Sequence, residues 1–131
     1  MLDGIITAEI SPGELIDKIT ILEIKMDRIT DDKKLKNIKT EWDTLNQSRE
    51  NKILISAKLD ELTAELKTIN ETLWVIEDDI RECENRKEFG KAFITLARSV
   101  YLNNDYRAQV KRKINKLLGS RLIEEKSYSD Y

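Results

Sequence analysis

Histidine is absent from the chain, and with it goes the commonest general base and metal ligand. Cysteine occurs once, at Cys83, so no disulfide can form within the chain, and a reducing, cytoplasmic setting is expected. A single proline and four glycines leave little turn chemistry, which argues against a sheet with many reversals. No stretch approaches the roughly 20 apolar residues that a membrane span needs. Residues 1–10 lack the basic start and long apolar run of a secretory signal, so neither membrane insertion nor secretion is expected. What remains is a chain that is 37% charged and 40% hydrophobic, the balance of long solvated helices. Its 131 residues fit a single domain able to bury a core without disulfide or metal.

Residues 1–10 read as an N-terminal arm. Ser11-Pro12-Gly13-Glu14 then has the form of a capping box, with Pro12 at the first helical position. Leu15, Ile19, Leu22, Met26 and Ile29 follow at steps of 4 and 3 and define one apolar stripe. Ile16, Ile21 and Ile24 lie off that stripe, so this helix is expected to be contacted from more than one side. The phase slips at residues 30–33, where Thr30, Asp31 and Asp32 are helix-capping types, and a kink or break is expected there. The stripe resumes at Leu35, Ile38, Trp42 and Leu45, and the polar run Asn46 to Lys52 is the expected hairpin loop.

The strongest pattern is the heptad Ile55, Leu59, Leu62, Leu66, Ile69, Leu73, Ile76, Ile80 and Cys83. A helix over about 52–86 would run about 50 Å. Residues 11–48 supply a partner of similar length, which predicts an all-α fold with a long antiparallel, coiled-coil-like hairpin. The same seam can alternatively pair two chains in a homodimer. A third long helix over 88–118 is expected to pack on the hairpin. Steps of 4 and 3 carry its register from Val100 through Asn103 and Arg107 to Val110, which favours one continuous helix over a turn at Asn103-Asn104-Asp105. Gly119 suits the stop. Residues 119–131 form an aperiodic tail that either docks or frays.

The net charge of −2 hides an asymmetry, since Lys91 to Arg121 holds eight basic residues against the single acid Asp105. Such a block attracts phosphates or an acidic partner, or else forms a solvated face paired with acids of the hairpin. Nucleic acid is not expected, because the whole chain is acidic and no reading motif appears. Two stripes concentrate ligand-binding chemistry. Trp74, Asp78 and Arg81 stack at i, i+4, i+7, where a ring and a guanidinium can grip a flat anionic ligand; a boundary tryptophan beside an ordinary ion pair is the plainer reading. On the last helix, Tyr101, Asn104 and Lys111 lie on a stripe of small and polar residues, flanked by Arg98 and beside an inward Arg107. A buried guanidinium must find an acid or anion, and the expected partners are Asp78, Glu77, Glu23 or a bound anion. Cys83, on a core position, is expected to be structural. No metal site, cofactor or catalytic residue is assigned.

Asp78-Asp79-x-x-Glu82 is similar to the first half of the acidic motif of helical nucleotide pyrophosphatases, but no Glu-x-x-Asp follows. Leu15-Ile16-Asp17-Lys18-Ile19 resembles, weakly, the opening of the helical chorismate mutases, without their early arginine or catalytic lysine motif. A broader resemblance rests on three blocks: Ser11 to Lys25; Trp74-x-Ile76-Glu77-Asp78 with Arg81; and Leu96 to Tyr128, including Asn104-Asp105-x-Arg107-Ala108 and Glu124-Glu125-Lys126-Ser127-Tyr128. These resemble a family of small bacterial and phage proteins catalogued as a domain of unknown function. That resemblance implies no activity, although an association with sugar-transfer genes fits an anionic sugar or nucleotide ligand. The expectation is a binding or accessory module for an anionic small molecule or acidic partner. A small enzyme on phosphorylated or carboxylated metabolites is the alternative.

Overall fold

A computed structural model describes residues 2–131 as four helices: α1 (Pro12–Arg28), α2 (Asp32–Lys52), α3 (Ala57–Arg86) and α4 (Lys91–Leu117). No strand occurs among the described residues, so the fold is all-α. The expected arm is seen from Leu2 onward, extended and exposed; Met1 lies outside the described residues. Ser11 caps α1 by accepting from the Glu14 amide at 3.2 Å, and Pro12 opens the helix. The phase slip at 30–33 is a full break, with Asp31 Oδ1 capping α2 through the Lys34 amide at 2.9 Å.

That break changes the hairpin. Instead of extending α1 into one long arm over 11–48, α2 packs on α1, while α1 alone also reaches α3 and α4. Among the described residues, no Cα of α2 comes within 8 Å of a Cα of α3. The expected long partner of the heptad is therefore replaced by two helices. Asp17 and Thr20 meet Asn70, while Ile24, further along α1, lines one groove with Leu73 and Trp74, so α1 runs parallel to α3. Glu14 meets Lys111 and Asp17 meets Arg107, so α4 runs antiparallel to α1. The cause is the apolar inventory. Helix α1 has apolar residues on several faces and buries Leu15, Ile16, Ile19, Leu22 and Ile24, which takes three neighbours; α2 fully buries only Ile38.

The loop is also displaced. Asn46 to Lys52 is helical, and the link to α3 is the extended stretch 53–56. The polar run satisfies itself along the helix, where Asn46 bonds Glu50 and Arg49, each one turn on. Ile55 falls before α3, 88% exposed, because Ser56 caps the helix at the Leu59 amide. From Leu59 the heptad behaves as expected: Leu59, Leu62 and Leu66 join Ile16, Val110 and Ile114 in the core, and Cys83 is buried.

Helix α4 is continuous through Asn103 and Arg107. It ends in a Schellman arrangement, with the Ser120 amide bonding Asn115 O at 2.8 Å and the Gly119 amide bonding Lys116 O at 3.3 Å. Gly119 takes the required positive φ of 67°. The tail then folds back along α4 rather than fraying: Glu124 reaches Lys111, Glu125 reaches Arg112, and the Tyr131 hydroxyl donates to Asp105.

Candidate functional site

The junction of α1, α3 and α4 is built around a buried carboxylate. Gly13, Asp17, Thr20 and Ile24 recur at steps of 4, 3, 4, one face of α1, and all four are buried. Asp17 is 1% exposed. Its Oδ1 accepts from Arg107 Nε at 2.9 Å and from Asn70 Nδ2 at 2.9 Å, and its Oδ2 accepts from Arg107 Nη2. Asn70 Nδ2 also reaches Thr20 Oγ1 at 3.0 Å, and the Thr20 hydroxyl donates to Asp17 O at 2.8 Å. Every buried side-chain polar atom among the described residues has a partner. The two-pronged bond to Asp17 raises the Arg107 proton affinity further, against the opposing pull of burial.

Beside this pair, α1 and α4 touch backbone to backbone. A Cβ at Gly13 would lie 2.5 Å from Lys111 O and 2.9 Å from Asn115 Oδ1, so only glycine permits the approach. The Gly13 amide donates to Asn115 Oδ1 at 2.7 Å. One turn away, Lys111 Nζ bonds Glu14 Oε2 at 2.7 Å and Glu124 Oε2 at 3.2 Å. Burial pulls the Lys111 ammonium down, but the Glu14 bond, the charges of Asp17 and Glu14, and the Glu124 bond outweigh it and leave it raised.

Arg107 thus pairs with Asp17, not with the expected Glu77, Asp78, Glu23 or an anion. Glu23 instead accepts from Trp42 Nε1 at 3.3 Å and lies 3.5 Å from Lys67. Glu77 pairs with Arg81 on its own helix. The two bonds to Asp17 use two of the five guanidinium N–H donors and leave three.

Those groups open onto a groove of about 510 Å³. It gathers five of the eight expected ligand residues, Trp74, Asp78, Arg81, Asn104 and Arg107, together with Glu77, Asn70 and the apolar Ile21, Ile24 and Leu73. Lys111 is excluded from it and lines a separate pocket of about 80 Å³, which adjoins at Asn104 and Arg107. Tyr101 faces a third cavity, of about 400 Å³, under the tail. Its ring meets Tyr131 edge-on at 5.4 Å. Arg98 is exposed on α4 and lines none of these cavities.

Trp74 is partly buried on the groove wall. Arg81 holds Glu77 through Nη1, which also bonds the Glu77 carbonyl at 3.2 Å; its Nε and Nη2 make no hydrogen bond among the described residues. Two arginines with unused donors therefore line the same groove as one indole ring. Among the described residues no group of three or more acidic or cysteine side chains is placed to hold a metal ion. No helix among the described residues is long and apolar enough to cross a membrane.

Fold and groove define an all-α, four-helix protein with a polar cleft where α1, α3 and α4 meet. The chain belongs to the family of unknown function DUF6165, whose profile matches residues 6–131. No curated protein and no solved structure matches it.

Proposed function

We propose that this protein is a binding module for a small anionic ligand of the nucleotide or sugar-nucleotide type, held in the α1–α3–α4 groove. The observation that carries this reading is the convergence of Trp74 and Arg81 from α3 with Asn104 and Arg107 from α4 on one cleft. The volume of about 510 Å³ falls within the ~300–1,000 Å³ usual for small-molecule sites. Charge decides between ligand types. Glu77 and Asp78 share the cleft with the two arginines, and they repel a bare anion. A ligand with a flat or hydroxylated end as well satisfies both signs: the ring lies on Trp74, its N–H or O–H groups donate to Glu77 and Asp78, and its phosphates take the free arginine donors.

Self-association through the heptad seam is the weaker reading, since Leu59, Leu62 and Leu66 are already buried within the chain. An enzyme acting on the same compounds is the second reading, favoured only by Glu77 and Asp78 as proton acceptors in the cleft; turnover of the bound compound separates it.

The test uses Trp74 as reporter in a Trp42→Phe background. Uridine and adenosine diphosphates and a sugar nucleotide should quench its fluorescence saturably, and Arg81→Ala, an exposed change, should weaken binding about tenfold. No quenching by any of them at ~1 mM, where binding is worth only about 4 kcal/mol, would refute the reading.

A further inference from the structure

The small pocket beside the groove has a composition of its own. Arg107, Lys111 and Lys126 line it together with Asn104, the small Ala108 and Glu124. Its volume is about 80 Å³, room for two or three waters at about 30 Å³ each, which is the scale of one tetrahedral oxyanion. Asp17 holds Arg107 and Glu14 holds Lys111 from outside the pocket, so Glu124, 3.2 Å from Lys111 Nζ, is the one acid that lines the pocket itself and balances the third cation, Lys126.

The two partners of that bond are held very differently. The Lys111 side chain is 11% exposed and is fixed from below by Glu14. Glu124 is 48% exposed and belongs to a tail with no helix or strand of its own. A bond with one half-exposed partner contributes little to the fold, so an incoming anion can displace it. A phosphate offers the same acceptor atoms with more charge and more of them.

We propose that this pocket is a phosphate subsite, and that the Glu124 carboxylate occupies the phosphate's position in the unliganded protein. The subsite adjoins the main groove at Asn104 and Arg107, which line both. Building on the groove reading, this narrows the ligand class to a nucleoside or glycosyl compound with a diphosphate, its ring on Trp74 and its outer phosphate displacing the tail carboxylate. Lys126, on the tail itself, then contacts the bound phosphate. The tail exchanges an internal carboxylate for the ligand and stays on α4 through Tyr131 with Asp105; the Glu125–Arg112 pair is too exposed to matter to that hold.

Calorimetric titration of the full chain with inorganic pyrophosphate tests the subsite without any nucleoside. Glu124→Gln removes the competing charge while keeping the shape, and should tighten pyrophosphate binding at least about threefold, within the range of a displaced half-exposed ion pair. Glu125→Gln deletes the same charge one residue on, outside the pocket, and should change the affinity by less than about 1.5-fold. Lys126→Met should weaken binding about fivefold. Trp74→Ala should leave pyrophosphate unaffected while weakening the nucleoside diphosphates. No pyrophosphate binding to either wild type or Glu124→Gln overturns the proposal, as does an equal gain from Glu125→Gln, which would reduce the effect to overall charge. The groove reading fails separately: pyrophosphate then binds as expected, but nucleosides leave Trp74 fluorescence unchanged.

Discussion

Replacing Arg107 by leucine tests the centre of the molecule. The change removes two of the three hydrogen bonds to the Asp17 carboxylate and leaves only Asn70 Nδ2 at 2.9 Å. Asp17 is 1% exposed, so water cannot replace what is lost. Stranding one member of a buried ion pair costs about 3 to 5 kcal/mol, a large share of the ~5–15 kcal/mol that holds a domain of this size together. Urea unfolding followed by far-ultraviolet circular dichroism at pH 7 should show that loss with an unchanged slope. A control separates charge burial from packing. In the double variant Asp17→Leu/Arg107→Leu no charge is stranded and Asn70 keeps Thr20, so most of the stability should return. A cost below ~1 kcal/mol in the single variant, or no recovery in the double one, would refute the reasoning.

Other perturbations probe the parts around that pair. Leu66→Ala removes a side chain with no exposed surface and should cost about 2 to 5 kcal/mol by denaturant titration, with a loss below ~1 kcal/mol excluding Leu66 from the core. Gly13→Ala pushes a methyl group 2.5 Å from Lys111 O and should cost at least about 2 kcal/mol, whereas an unchanged melting temperature would mean that α1 and α4 do not meet there. Lys87 holds φ 56° at the end of α3; Lys87→Gly should therefore gain roughly 0.5–1 kcal/mol in the same unfolding assay. The raised Lys111 stabilises the fold fully below its ordinary 10.5 and loses that contribution as pH climbs through the folded value. The stability gap between wild type and Lys111→Met should consequently be larger at pH 9 than at pH 11.5.

Much of this arrangement is legible in the chain because single residues have few physical options. Ser11 with Pro12 announces the start of α1, the slip at Asp31 announces its end, and the preserved register through Asn103 and Arg107 announces an unbroken α4. Arg107 even declares its need for an acid. Its partner stays hidden for a definite reason: a search for apolar stripes passes over Asp17 because the stripe it belongs to is Gly13, Asp17, Thr20 and Ile24, mostly small or polar. Asn70 is hidden in the same way, four residues after Leu66 and three before Leu73, on the inner face of α3. Polar residues that sit at core spacing are the readable signal, and they acquire a meaning only when a matching charge on another helix is known. The hairpin is misplaced for a different reason. A heptad specifies that a helix has a partner, but not whether one long helix or two shorter ones provide it, and α2 carries an apolar stripe without being drawn into the main core.

The buried pair also bears on why the groove lies where it does. Hydrophobic replacements for a buried ion pair are often neutral or stabilising, so stability alone does not account for an aspartate at this position. What leucines at 17 and 107 cannot do is hold a guanidinium still at the base of a cleft. Arg107 is gripped on Nε and Nη2 by a carboxylate that Asn70 in turn holds in place, and the residue lines two adjoining cavities. A free arginine on the surface loses much side-chain freedom when it captures a ligand; here most of that loss is met during folding. Gly13 belongs to the same logic, since its missing side chain lets α1 approach closely enough for Asp17 and Glu14 to reach Arg107 and Lys111 together. For the anionic ligand proposed above, the polar layer that interrupts the core would preorganise both cavities, and stability recovered in the Asp17→Leu/Arg107→Leu variant should come with loss of binding.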